Sequence, residues 1–181
     1  MIADRYQPLE PPQGGAPIRA RDMQTAQTVV LQAVRPLDQR LVGIFHPSLI
    51  TIFDIFFQGG ARLAACEFVP AKTLRIVMSG QPLNAKRAAE IVAEVANGVA
   101  ELHSRGLTHG GISVDSVLLT EKGKAKLNLV NAIDSTEDDD LRLLVALMSD
   151  VTGTEHPELA AMTSAAVLAA HLRTGQVGTN L

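Results

Sequence analysis

The sequence predicts an α+β fold, and three observations carry that expectation. The first third is built of β-branched and apolar runs punctuated by Pro and Gly. After residue 73 the period of the apolar positions changes from two to 3.6, and the long helical stripes all fall in the remainder. With 181 residues, 46% of them hydrophobic and only 3% aromatic, the chain can bury a sizeable core made mainly of Ala, Leu, Val and Ile.

Taken in order, residues 5–34 read as extended structure interrupted at Pro11-Pro12-Gln13-Gly14-Gly15-Ala16-Pro17, a cluster no helix tolerates. Thr28 to Val34 reads as a buried strand. Leu49 to Phe56 is a further strand, Gly59-Gly60 its hairpin turn, and Arg62 to Val69 the returning strand, stopped by Pro70. Asn84 is placed to cap a helix whose apolar face is Ala88, Ile91, Val92, Val95, Val99 and Leu102, ending at Arg105-Gly106. Val117 to Leu119 and Ala125 to Leu127 flank Glu121-Lys122-Gly123-Lys124 as a hairpin. Ser135 to Asp140 supplies caps and first-turn acids for a helix carrying Leu141, Leu144, Val145 and Met148, closed by Gly153. Pro157 to Arg173 is expected to form one last helix. Phe53, Phe56, Ile91, Val95, Val99, Leu118, Leu127 and Leu144 are the expected core.

Composition excludes several classes of function. A net charge of −3 without a basic stripe argues against nucleic acid as a partner. Cys66 is the only cysteine, so no intrachain disulfide can form, and a reducing cytoplasm is expected. Met1 to Tyr6 lacks the build of a signal peptide, and the apolar segment 159–172 is too short to span a bilayer, so no direct membrane insertion is expected. His46, His103, His156 and His171 are scattered without metal-site spacing, and Cys66 sits in an apolar strand as a small core residue. No metal and no cofactor are expected.

The stretch His109-Gly110-Gly111-Ile112-Ser113-Val114-Asp115-Ser116-Val117-Leu118-Leu119 carries most of the functional information. It resembles the catalytic loop of protein kinases, and the order of elements around it is similar to bacterial serine/threonine kinases along most of the chain. Val29-Val30-Leu31-Gln32 resembles the Val-Ala-Ile-Lys strand, and His46-Pro47 the His-Pro that leads into the fourth strand. Cys66-Glu67-Phe68-Val69 resembles the gatekeeper and hinge, and Leu102-His103-Ser104-Arg105-Gly106 the end of the helix before the loop. The resemblance implies a two-lobed kinase-like fold: a small antiparallel β lobe over about residues 1–69 and a reduced, mainly helical lobe over about 73–175. Together these make a single domain over 1–175, with 176–181 as a polar tail or the start of a linker.

Aligned in this way, the chain departs from the kinase pattern at every chemical position. Gln32 stands at the nucleotide Lys, Gly110 at the Arg, Gly111 at the catalytic Asp and Ser116 at the metal-binding Asn. Leu129, Val130 and Asn131 stand at Asp-Phe-Gly, where magnesium would require an oxygen ligand. Asp139 resembles the Asp that starts the next helix; the activation segment before it is gone, the C-helix is shortened or absent, and the later G and H helices are deleted. His109 is expected to pack under the loop, Asp115 to cap a turn, and Ser135 and Thr136 to cap a helix.

These departures imply that the chain is not an enzyme. They imply a pseudokinase acting as a scaffold or regulatory module, with a protein partner or self-association through surfaces on helices 83–105 and 138–152. The alternative is a regulatory domain that holds ATP without transferring phosphate.

Overall fold

In a computed structural model the chain is described over residues 1–11 and 13–175 and forms two compact units: Met1–Phe45 with Ile50–Val69, and His46–Leu49 with the chain from Pro70 on. The expected tail at 176–181 lies outside the described residues.

The first unit is a five-stranded antiparallel sheet. Its strands are β1 (Tyr6–Pro8), β2 (Ile18–Asp22), β3 (Thr28–Ala33), β5 (Ile52–Gln58) and β6 (Ala61–Glu67), in the order β1-β2-β3-β6-β5. The two-residue strand β4 (Leu49–Ile50) precedes β5. Alternation along β2 and β3 points Ala20, Val29 and Leu31 into a cluster with Tyr6 and Ala65. Phe53 and Phe56 flank that cluster half-buried rather than filling it, because β5 is the edge strand of the sheet. Gly59 and Gly60, at φ +57° and +79°, make the expected hairpin turn. Arg5 clamps Asp22 through two bonds of 2.9 and 2.7 Å, and Asp22 also accepts from Gln24 N and Thr25 Oγ1, which fixes the β2–β3 turn. Between β3 and β4 the only helical element is a 3₁₀ turn, Gln39–Leu41, capped by Asp38. Among the described residues there is no C-helix there.

The second unit contains β7 (Ala71–Thr73), α1 (Leu74–Met78), α2 (Ala85–Ser104), the hairpin β8 (Val117–Thr120) and β9 (Ala125–Asn128), α3 (Glu137–Thr152) and α4 (Ala165–Arg173). Asn84 caps α2 by accepting from Arg87 N at 2.9 Å, a contribution of about 1 kcal/mol. The predicted stripe Ala88, Ile91, Val92, Val95, Val99 and Leu102 is buried as expected, packed by α3 and α4. Gly98 lies so close to Ser48 and Leu49 that an added Cβ would sit 2.7 Å from Leu49 Cδ2 and 3.1 Å from Ser48 O. Val117, not Leu118, is the core residue of β8; Leu118 is half-buried.

Two further expectations change. The final helix is broken: Pro157–Ala161 is a 3₁₀ turn, and Ser164 then caps α4. The helices proposed as partner surfaces expose no large apolar residue, because α3 and α4 close over the α2 stripe. No helix among the described residues is long and apolar enough to cross a membrane.

Leu127→Ala should therefore cost about 2–5 kcal/mol in urea unfolding, the range for a fully buried leucine. Leu118→Ala should cost distinctly less, and equal losses would place Leu118 in the core after all.

Candidate functional site

The loop 107–115 leaves α2 through Gly106, at φ +66°, and passes beneath the start of α3. There the fully buried Asp140 carboxylate gathers three donors: His109 N at 2.9 Å, Gly110 N at 2.6 Å and His103 Nε2 at 2.9 Å. Burial alone would push the Asp140 carboxyl up, but the bonds from His103, Gly110 and His109 hold it below the usual carboxylate range. Asp140 thus takes the place expected of Asp139. Asp139 instead closes a capping box with Thr136 at the half-exposed tip of α3. The signal was present in the sequence: Asp140 continues the buried stripe Leu144, Leu147 and Val151 and so cannot face solvent.

His109 is buried, as expected of a structural residue. Its Nε2 lies 3.1 Å from Asn128 O and its Nδ1 accepts from Gly111 N, also at 3.1 Å; burial pushes its pKa down. Ser116 is buried too and closes the loop on itself, accepting from Ser113 N at 2.8 Å and donating to Ser113 O at 3.1 Å.

The two glycines are explained by what lies over them. Gly110 has φ +66°, and a Cβ there would meet Ser135 Cβ at 2.7 Å and Ile133 Cγ1 at 2.8 Å. A Cβ on Gly111 would lie well inside van der Waals contact with Asn131 O. The covering strand of backbone is held in place by Ile133 N donating to His109 O at 2.8 Å and Thr108 Oγ1 donating to Ser135 O at 3.2 Å. Leu129, Val130 and Asn131 form a 3₁₀ turn with Leu129 fully buried and Asn131 exposed. The structure thus gathers Gly110, Gly111 and the 129–131 turn around one closed loop, with Ser116 beside it.

Asp115 is not a turn cap. It is exposed and forms a bidentate pair with Arg75 of α1, at 2.5 and 2.7 Å, and that guanidinium holds its carboxyl below the ordinary range. Arg75 gave no sign of this role in sequence, being 40 positions away. Ser135 Oγ is buried without a hydrogen-bond partner, and Thr136 is the residue that caps α3. In the first unit, Gln32 of β3 is half-buried with Nε2 3.6 Å from Cys66 Sγ, and burial pushes the Cys66 thiol up to about 11. No cluster of three or more His, Cys, Asp or Glu among the described residues could hold a metal ion.

A family model described as protein tyrosine and serine/threonine kinase matches residues 21–142, more than half of the chain. The chain belongs to this kinase family. Similar proteins include the serine/threonine-protein kinase ppk8 of Schizosaccharomyces pombe, 29% identical over 82 residues covering 45% of this chain and 16% of that protein. Serine/threonine-protein kinase PAK 4 of Mus musculus is 26% identical over 83 residues (46% and 14%). Serine/threonine-protein kinase pkn2 of Myxococcus xanthus is 24% identical over 86 residues (48% and 10%). The matched stretch spans less than a fifth of each of these relatives. The crystal structure of the Mycobacterium tuberculosis PknI kinase domain superposes with a TM-score of 0.77 at 16% identity, over 96% of both chains, so the kinase-like fold is shown. One expectation is overturned here. A family and relatives that are named as protein kinases contradict the reading of the chain as no enzyme.

Two outcomes follow from the loop. Gly111→Asp should destabilise the domain, because its Cβ and Asn131 O cannot share that space; a melting temperature equal to the parent's would mean that 131–135 moves aside. Acid should weaken the fold in two stages. Buried neutral His109 has a lowered pKa, so stability is lost as pH falls below the unfolded value of 6.5. Asp140, also lowered, adds a loss that begins below the unfolded value of 3.8. Urea unfolding at pH 7.5, 5.5 and 3.5 should give decreasing free energies, and a rise between 7.5 and 5.5 would contradict the assignment.

Proposed function

We propose that this kinase-family domain is a degenerate member of the bacterial serine/threonine type and works as a regulatory, protein-binding module. The observation that carries the reading is the closed turn at Gly110–Gly111. A carboxylate at 111 is what would orient and deprotonate a substrate hydroxyl in phosphoryl transfer, and backbone from Asn131 to Ser135 occupies the space it needs. Buried Leu129 offers no oxygen at the position of a magnesium ligand, and Gln32 brings no charge to the triphosphate. A frame kept in order around such a loop leaves its surface as the working part. The Myxococcus xanthus relative supports the bacterial assignment.

Phosphoryl transfer is the second reading, favoured by the relatives named as serine/threonine kinases. Its acid would have to come from elsewhere, and Asp115 is the exposed carboxylate nearest in sequence to the loop glycines.

Thermal unfolding with millimolar ATP and magnesium separates the two. Ligand at a hundred times its dissociation constant adds about 2.7 kcal/mol. The regulatory reading expects an unchanged melting temperature. A magnesium-dependent rise, with incorporation of labelled phosphate that disappears in Asp115→Ala, decides for the second reading.

A further inference from the structure

We propose that β5 is a self-pairing edge through which two copies of this chain join their five-stranded sheets in antiparallel fashion. β5 is the last strand of the order β1-β2-β3-β6-β5 and at seven residues is, with β6, the longest of the sheet. Its outer side is covered only at the start, where Val42 bridges Ile52 and Gly43 N donates to Ile52 O at 2.8 Å. No other backbone hydrogen bond reaches that side among the described residues. The two-residue turn pairs Gln58 with Ala61, so Gln58 and Phe56 exchange bonds with β6 while the N–H and C=O groups of Ile55 and Phe57 point outward.

Edges of this kind are commonly blunted by Pro, by Lys or by inward-turned charge. The run Ile52-Phe53-Asp54-Ile55-Phe56-Phe57-Gln58 has no Pro and no Lys. Its one charge, Asp54, is neutralised on the sheet face by Arg5 Nη1 at 3.6 Å and accepts from Tyr6 Oη at 3.4 Å, and the register shift between Ile52 and Asp54 comes before the open stretch 55–57. Phe57 is 68% exposed, with Arg62 stacked on its ring.

The occupant is a second copy because the strand is complementary to itself. With a two-fold axis through Phe56, Ile55 of each copy faces Phe57 of the other, and those are the residues whose backbone groups are free. The same register sets β-branched Ile55 against aromatic Phe57, a favourable cross-strand pair. It also sets Asp54 against the Gln58 amide, so no two carboxylates meet. The proposal deepens the protein-binding reading and rests on it for its functional meaning; its geometry rests on the strand edge alone.

The test is the oligomeric state of the purified chain by sedimentation velocity across a concentration series. Dimer is expected for the parent. Phe57→Lys changes an exposed residue, and Ile55→Pro removes an N–H that β6 does not use. Both should give monomer with the parent's circular dichroism. If Ile55→Pro fails to fold, Phe57→Lys decides. A parent that stays monomeric at every concentration overturns the proposal while leaving capture of a different protein as the protein-binding reading. So does a dimer that survives Phe57→Lys.

Discussion

The carboxylate of Asp140 is the interaction on which the second unit's architecture turns. It is fully buried, and a buried charge is tolerated only when it is paired and hydrogen-bonded. Three donors satisfy it, two from the backbone of the loop and one from the imidazole of α2. A single side chain on α3 therefore fixes the end of α2, the path of the loop and the conformation of Gly110. Leaving those donors unpaired would cost about 1–3 kcal/mol for each.

From that anchor the rest of the loop follows. With Gly110 drawn toward Asp140, the chain turns in left-handed conformation, and the space above it is filled by Ile133 and Ser135. Asn131 to Ser135 takes that space, so the short connection from β9 to α3 acts as packing material for the loop. Membership of the kinase family explains the frame; the local filling explains why positions 110 and 111 are glycine.

The strands and helices were readable because their signals are local. Asn84 and Thr28 to Ala33 announce themselves by cap chemistry and β-branching, and α2 by an unbroken stripe. Local signals fail where tertiary contact decides. Asp139 and Asp140 are adjacent and chemically identical, and only the phase of α3 says which one is buried. Hydrophobicity alone would put Phe53 and Phe56 in the core, whereas the position of β5 at the edge of the sheet leaves them at its margin. The break at Met162 between the 3₁₀ turn and α4 has no Gly or Pro to mark it, and Ser164 as a cap is easily passed over. The Arg75–Asp115 pair joins residues far apart in sequence, so nothing short of the fold itself could disclose it. At the loop, the residue types at 110 and 111 were legible, and the cause of their being glycine was not, because it lies in atoms twenty residues downstream.

The packing of α4 on α2 has a consequence for how the molecule is made. α2 presents its alanine- and valine-rich face once Ser104 has been added, yet α4 supplies a large part of the cover, and its first residue is Ala165. During synthesis that face must wait for roughly sixty further residues, several seconds at ribosomal rates of about 5–20 residues per second. The residues of the first unit all precede Pro70 and are made early. The second is obliged to fold late, and in the interval its longest helix is the surface most in need of a chaperone.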